Sequence, residues 1–393
     1  MRKRLRKIFA LRGNIPALAI SEVVSDTGWN MYEVIWQPYV LSLGASMPAL
    51  GTLTGIQMAL SSALQVITGR ISDSFGRKPL LVLSYLLTIA GVASIILARS
   101  WIFLLPAIIL LSISHSLWEP VNAPLIAESV EEDQRGTAFS LISFTWFLPG
   151  FYAPLLAGYL ANAYGFRHVF GLMLLTEIFS SVIFAIYIVE TLEEKKRLKI
   201  HDLLKSMRGV FSPRFGLSKF YVAVIIDRFC IFIGQGIFFG MLFKTFGFNV
   251  IQLGILSNAF SVAVAVSQIP MGKLVDRYGR RGFLIISKAI WVMVFVGYLF
   301  STDLAGFLAC QILLALAVSA WMPAFNAYVS NAVPETERGR FFGDINCLRG
   351  LLSFPAPIIG AFLYEGYGFK APILLSLFLS IAVIFILFAI EER

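Results

Sequence analysis

Glu22, Asp26 and Glu33 interrupt an otherwise apolar run at 15–42. An ionisable residue at the centre of a membrane span costs about 2.5–3.5 kcal/mol on insertion scales, so three in one run need a use. At about 100° per residue, Glu22, Asp26, Trp29, Glu33 and Trp36 fall within about 80° of one helix face. Such a stripe should line a watered cavity, where carboxyls carry protons and indoles meet substrate. Trp29 and Trp36 could equally pack between helices, and Glu22, nearest the end of the run, could be interfacial. His115 and Glu119 are one turn apart and could form a proton-sensitive pair, or His115 could be a hydrogen-bonded packing residue. Asp227 and Arg228 are adjacent, point about 100° apart and need not pair with each other. Arg349 lies about 15 Å into its apolar run, too deep to reach the surface, and requires a carboxylate or an anionic substrate. Lys288 is expected to snorkel to the headgroups as a structural residue.

No enzyme motif accompanies these residues. His-Glu-x-x-His, Gly-x-Ser-x-Gly and Walker A patterns are absent, and Gly234-Gln235-Gly236 lacks the strand and spacing of a dinucleotide loop. Gly236 with Gly240, and Gly51 with Gly55, read as helix-packing pairs. Cys230, Cys310 and Cys347 all lie in apolar runs, which argues against disulfides or a thiolate metal site, and no cofactor is expected.

The composition says where these residues must work. Of 393 residues, 58% are hydrophobic and 14% charged, with a mean hydropathy of +0.80. Soluble domains are about a quarter charged, which excludes a soluble enzyme, a disordered chain and a nucleic-acid binder. Windows of about 20 apolar residues predict twelve spans: 15–42, 48–69, 79–98, 102–127, 138–163, 168–189, 218–245, 251–272, 282–301, 304–330, 341–366 and 371–390. Of the 32 Lys and Arg, 25 fall in the tails and the even-numbered loops, which places both termini in the cytoplasm. The basic start, Arg2 to Lys7, precedes too acidic a segment for a cleaved signal peptide. A central loop, 191–217, carries the charge run Glu193 to Arg197 and then Ile200, Leu203, Leu204, Met207 and Phe211 at helical spacing. That pattern predicts an amphipathic helix on the inner membrane surface.

A constant shift of 203 residues relates the two halves. Gly69, Asp73, Gly76 and Arg77 recur as Gly272, Asp276, Gly279 and Arg280, Trp118 as Trp321, Arg135 as Arg338, and Pro154 as Pro357. The shift implies two six-helix bundles of the same topology, 1–190 and 218–393. Gly76 and Gly279 fit turns of positive φ, and Asp73 and Asp276 end their spans where a carboxylate can face a helix N-terminus. Arg77 and Arg280 suit anchoring on the anionic inner leaflet.

The segments GRISDSFGRKPLL (69–81) and GKLVDRYGRRGFL (272–284) resemble the duplicated loop signature of the major facilitator superfamily. That resemblance implies an all-α fold of twelve transmembrane helices in two pseudo-symmetric bundles working by alternating access. It implies a cytoplasmic gate of Gly69, Asp73, Gly76, Arg77, Arg135, Gly272, Asp276, Gly279, Arg280 and Arg338, with Arg135 and Arg338 as partners for the carboxylates. It also makes the sixth span, with Glu177, peripheral. The fifth span is similar to the antiporter motif Gly-x-x-x-Gly-Pro-x-x-Gly-Gly at Pro154 and Gly158, but Ile108 stands where those antiporters carry a fourth-helix Arg. The coupling proton must then sit elsewhere, on Asp26 or Glu33 first and on His115–Glu119 next.

The expectation is a proton-coupled exporter of small amphipathic or cationic organic molecules. It would be a monomer in the cell membrane, partnered by substrate, protons and lipid. Proton-coupled uptake of a sugar or organic anion, with Arg349 as ligand, is the alternative; an integral-membrane enzyme or sensor has no motif behind it.

Overall fold

The computed structural model describes residues 13–192 and 215–391; the side chains of Val66, Arg70, Glu119, Asp133, Glu335, Thr336, Gly339 and Arg340 are outside that description. The basic start, the charge run and the amphipathic segment at 200–211 therefore lie outside the described residues, as does the side chain of Glu119 in the His115 pair.

The described residues are mainly helical, with no strand among them. In chain order the helices are α1 (Ile15–Ser42), α2 (Met47–Phe75), α3 (Arg77–Leu97), α4 (Leu105–Glu128), α5 (Arg135–Gly150), α6 (Ala153–Tyr164) and α7 (Phe166–Tyr187). They continue as α8 (Ser218–Gln235), α9 (Phe238–Phe246), α10 (Val250–Tyr278), α11 (Arg280–Phe300), α12 (Leu304–Ala332), α13 (Glu335–Ser353), α14 (Pro355–Tyr367) and α15 (Lys370–Phe388). Among the described residues, eleven stretches are long and apolar enough to cross a membrane. The remaining crossing is α1, whose 28 residues rise about 42 Å despite three carboxyl groups.

Among the described residues, fifteen α-helices make twelve crossings because three spans are broken. Proline causes two of the breaks: Pro149 and Pro154 flank the α5–α6 junction, and α14 opens on Pro355. The α8–α9 break falls at Gly236 without a proline. The repeat recurs in the turns. Gly76 and Gly279 hold φ 109° and 98°, where an L side chain is strained. Ser46 Oγ accepts the Ala49 N–H at the start of α2, and Asn249, 203 residues later, forms a capping box with Gln252 at the start of α10.

The chain forms two compact units, within the bounds Met1–Trp36 with Leu60–Met207 and Gln37–Ala59 with Arg208–Arg393. In the first, Ile15, Leu18, Leu81, Tyr85, Val121, Leu125 and Phe184 form a buried core. In the second, Phe220 stacks on Phe325 and Tyr328, and Phe238 on Tyr298. Large apolar side chains such as Leu97, Phe300, Tyr367 and Phe385 remain exposed, as lipid contact requires.

Small residues set the close approaches in the second unit. A Cβ on Gly51 would strike the Pro357 carbonyl and the Ala361 side chain, and one on Gly240 would meet Leu50 Cδ2 at 2.7 Å. Both pairs, Gly51 with Gly55 and Gly236 with Gly240, are thus packing glycines. The Gln37 amide closes the α8–α9 break: its Nε2 donates to the Gly236 carbonyl at 3.2 Å, and its Oε1 accepts the Gly240 N–H at 2.7 Å. The tightest approach is Gly360, whose missing Cβ would collide with the Ile233 carbonyl. Gly360→Ala is expected to destabilise the protein by about 1–3 kcal/mol, read as a lowered thermal midpoint in detergent.

Candidate functional site

Three carboxyls on α1 and α7, Glu22, Asp26 and Glu177, are buried or half-buried and bonded only to neutral groups. Glu22 on α1 is 5% exposed; its Oε1 accepts from Asn122 Nδ2 of α4 at 2.7 Å and its Oε2 meets Thr145 Oγ1 of α5 at 3.1 Å. Asp26 Oδ2 lies 3.5 Å from the same hydroxyl. Glu177 on α7 is 1% exposed and accepts from Ser25 Oγ at 2.8 Å. No ion pair reaches any of the three among the described residues. Glu22 is accordingly packed among side chains of α4 and α5. Glu177, expected on a peripheral span, is packed against α1.

Thr145 shows what these groups can do. Its hydroxyl has one proton, and its shortest contact, 2.6 Å, is to the Ile142 carbonyl. The same hydroxyl is within reach of Glu22 Oε2 and Asp26 Oδ2, to either of which it can donate in turn. A buried ionised carboxylate with no cation would cost several kcal/mol; a hydrogen-bonded neutral acid avoids that cost.

The remaining members of the α1 stripe divide. Trp29 packs edge-on against Tyr32 at 5.4 Å, Tyr32 stacks on Trp36 at 5.1 Å, and Trp36 is buried, so the indoles form a packing ladder. Glu33 is exposed, and so is His115 on α4.

The second unit holds a cluster of opposite balance. Asp227 on α8 is 1% exposed and Lys288 on α11 fully buried, and the two form an ion pair. Lys288 Nζ also lies over the rings of Trp291 and Trp321, at 5.2 and 5.3 Å. The expectation that Lys288 snorkels is wrong: its ammonium points inward because Asp227 and two indole faces replace its hydration. Arg349 on α13 has Nη2 3.6 Å from Asp227 Oδ2, donates from Nε to the Val224 carbonyl at 3.2 Å, and lies over Phe325. Its required carboxylate is therefore Asp227. Arg228 lies over the Phe232 ring, 4.8 Å from its centroid. The 203-residue shift exposes a signal for Lys288: it matches Tyr85, which packs edge-on against Trp118 as Lys288 packs on Trp321.

At the loop signature, Arg77 is buried and bonded to Ser72, to Asp73 at 2.8 Å and to Glu128 at 3.2 Å. It does not reach for headgroups, and it takes the place expected of Arg135, which instead bonds the Ala127 carbonyl and lies 3.8 Å from Glu132. Gly69 leaves room beside Pro120. In the second copy Asn331 replaces Glu128, and its amide faces Arg280. There Asp276 is exposed, Arg338 bonds the Val333 carbonyl, and Gly272 has open space beside it. The repeat thus carries a charged triad once and an amide version once.

Glu190, just past α7, was not foreseen. Its carboxylate accepts the backbone N–H groups of Arg77, Lys78, Thr191 and Leu192 at 3.0–3.1 Å, capping α3 from outside its own segment. Partial burial opposes its ionisation, but those four donors outweigh it and hold the carboxyl below its usual range. A depressed value stabilises the fold above the carboxyl's unfolded value, and this is lost as pH falls through the folded one. Glu190→Ala is expected to cost about 0.5–2 kcal/mol at neutral pH. In melting curves against pH, the gap to the parent protein should close in acid.

The chain is similar to known membrane transporters. A family model described as the Major Facilitator Superfamily matches residues 18–243 and 220–393. The chain is 26% identical over 358 residues to multidrug resistance protein MdtG of Enterobacter lignolyticus, covering 86% of this chain and 82% of that protein. It is 27% identical over 168 residues to an uncharacterised MFS-type transporter of Methanocaldococcus jannaschii, covering 42% of this chain and 44% of that one. A bacterial homologue of the human lysosomal transporter Spinster, inward-facing and unoccupied, has the same fold, with a TM-score of 0.76 at 15% identity over 95% of both chains. The nucleoside transporter NupG gives a TM-score of 0.74 at 13% identity, over 95% of this chain and 99% of that one.

Proposed function

Because the chain belongs to the Major Facilitator Superfamily and is a membrane transporter rather than an enzyme, we propose that it exports small amphipathic organic molecules by alternating access, in exchange for protons. The observation that carries this reading is the hydroxyl of Thr145 between Glu22 and Asp26, in a buried cluster with no cation beside it among the described residues. Neutral donors fix these carboxyls in place without settling their charge, as a proton carrier needs. Glu33 is the exposed acid of the same helix and suits exchange of protons with water.

In this reading the cluster serves protons and not a cationic cargo. Six-helix bundles, 1–190 and 218–393, rock about the linker 191–217, with both termini cytoplasmic and the protein a monomer in the cell membrane. The Asp73–Arg77–Glu128 triad locks the cytoplasmic side, joined by Arg135 and by the second copy from Gly272 through Arg280 to Arg338. The relatives named for multidrug resistance favour export of amphipathic molecules. The test is flux in proteoliposomes over a panel of amphipathic substrates, with and without an imposed pH gradient. Accumulation that follows the gradient and collapses with a protonophore is expected; flux indifferent to both would reject proton coupling.

A further inference from the structure

The triad of the second unit has two cations, Lys288 and Arg349, on one carboxylate, Asp227. The two are held unequally. Lys288 is fully buried, closed in by Asp227 and two indole faces. Arg349 keeps 11% of its side chain accessible, stands 3.6 Å from Asp227, and bonds the backbone only through Nε. Its Nη groups have no hydrogen-bond acceptor among the described residues, so a planar fork of donors is left with a distant ion pair alone.

The accessible side of Arg349 belongs to a polar face. Asn346, one turn earlier on α13, is exposed, and on α8 Arg228, Phe232 and Gln235 are half-buried along one side. A guanidinium on a half-exposed face cannot point into hydrocarbon without the insertion cost of several kcal/mol, so this face borders water.

We propose that the Arg349 fork is the subsite for a carboxylate group on the transported amphipathic molecule, with Asp227 as a built-in counter-ion that the substrate displaces. Lys288 retains Asp227 when Arg349 turns to the substrate, so no buried charge is stranded at any stage. Phe325 and Phe232, which lie under Arg349 and Arg228, supply apolar surface beside the charge. The inference rests on the transport reading and narrows its cargo to amphipathic carboxylates.

The test uses the full chain in proteoliposomes and two probes of one body, a naphthylalkanoate and its primary amide. Binding is read by tryptophan fluorescence and transport by flux. The parent protein is expected to prefer the carboxylate by about ten- to a hundredfold, the worth of a charge-assisted pair. Arg349→Gln should bring that ratio near one, and Arg349→Lys should keep part of it. The paired change Asp227→Asn with Lys288→Met leaves net charge unaltered and removes the competitor, so carboxylate affinity should rise. Should Arg349→Gln fail to fold, the paired variant decides alone: higher carboxylate affinity supports the subsite and unchanged affinity overturns it. No preference in the parent protein, or a preference that survives Arg349→Gln, also overturns it. Gradient-driven flux of the amide without carboxylate preference would leave export standing and remove the subsite. Carboxylate binding lost in Arg349→Gln, with neither probe transported, would keep the subsite and reject export.

Discussion

Asp227→Asn, alone, is expected to yield little folded protein. It leaves Lys288 and Arg349 facing one another with no anion between them, Lys288 without any exposure. Removing one partner of a buried pair costs about 3–5 kcal/mol, against a typical total stability of about 5–15 kcal/mol. Adding Lys288→Met removes the stranded ammonium and should restore yield, because a thioether of similar length suits the space between Trp291 and Trp321. The measurement is monodisperse yield and thermal midpoint for both single variants and the pair. A single Asp227→Asn variant as stable as its parent would show that the ion pair does not hold the second unit together.

Glu22→Gln, Asp26→Asn and Glu177→Gln together are expected to abolish gradient-driven accumulation while sparing substrate exchange across membranes without a gradient. Each change substitutes a neutral amide for a group already bonded to neutral partners, so the fold should tolerate it better than the loss of Asp227. Thr145→Val tests the same arrangement from the other side. It removes the hydroxyl shared by Glu22 and Asp26 and keeps the side-chain shape. Driven flux should fall more in Thr145→Val than in a Thr→Val change at Thr54, whose hydroxyl only bonds its own helix at Leu50. Equal effects at the two sites would separate Thr145 from coupling. Should the triple variant still accumulate substrate against its gradient, the coupling proton would lie outside this cluster, with Glu33 and the His115 region next.

The crossings were legible because a membrane imposes length and apolarity on each one, and the repeat made the reading redundant. The breaks at Pro149–Pro154 and at Pro355 lie at prolines, although the sequence reading takes both spans as continuous. The break at Gly236 has no proline, and it depends on the amide of Gln37, 199 residues earlier. The stripe from Glu22 to Trp36 was visible as periodicity on one helix, but its partners were not. Asn122, Thr145 and Glu177 come from three other helices, and nothing in an Asn or Thr marks it as a carboxyl's neighbour. Lys288 was misread because helical rise gives depth and not direction. The shift of 203 residues to Tyr85, with Trp118 and Trp321 as common neighbours, could have placed its ammonium inside. Arg349 reads from the sequence as needing a carboxylate or an anionic substrate, since depth alone makes that demand, and Asp227 lies 3.6 Å from it. Glu190 escaped notice because it acts on a helix more than a hundred residues away.

The central claim, that buried carboxyls of the first unit carry the coupling protons, is tested most directly by counting protons moved per substrate. Proteoliposomes holding a pH indicator would report both fluxes at once, for the parent protein and for the Glu22→Gln, Asp26→Asn, Glu177→Gln variant. The account predicts a fixed number of protons, at least one, entering for each substrate molecule exported by the parent protein, and none for the variant. A variant that moves as many protons per substrate as its parent would contradict it.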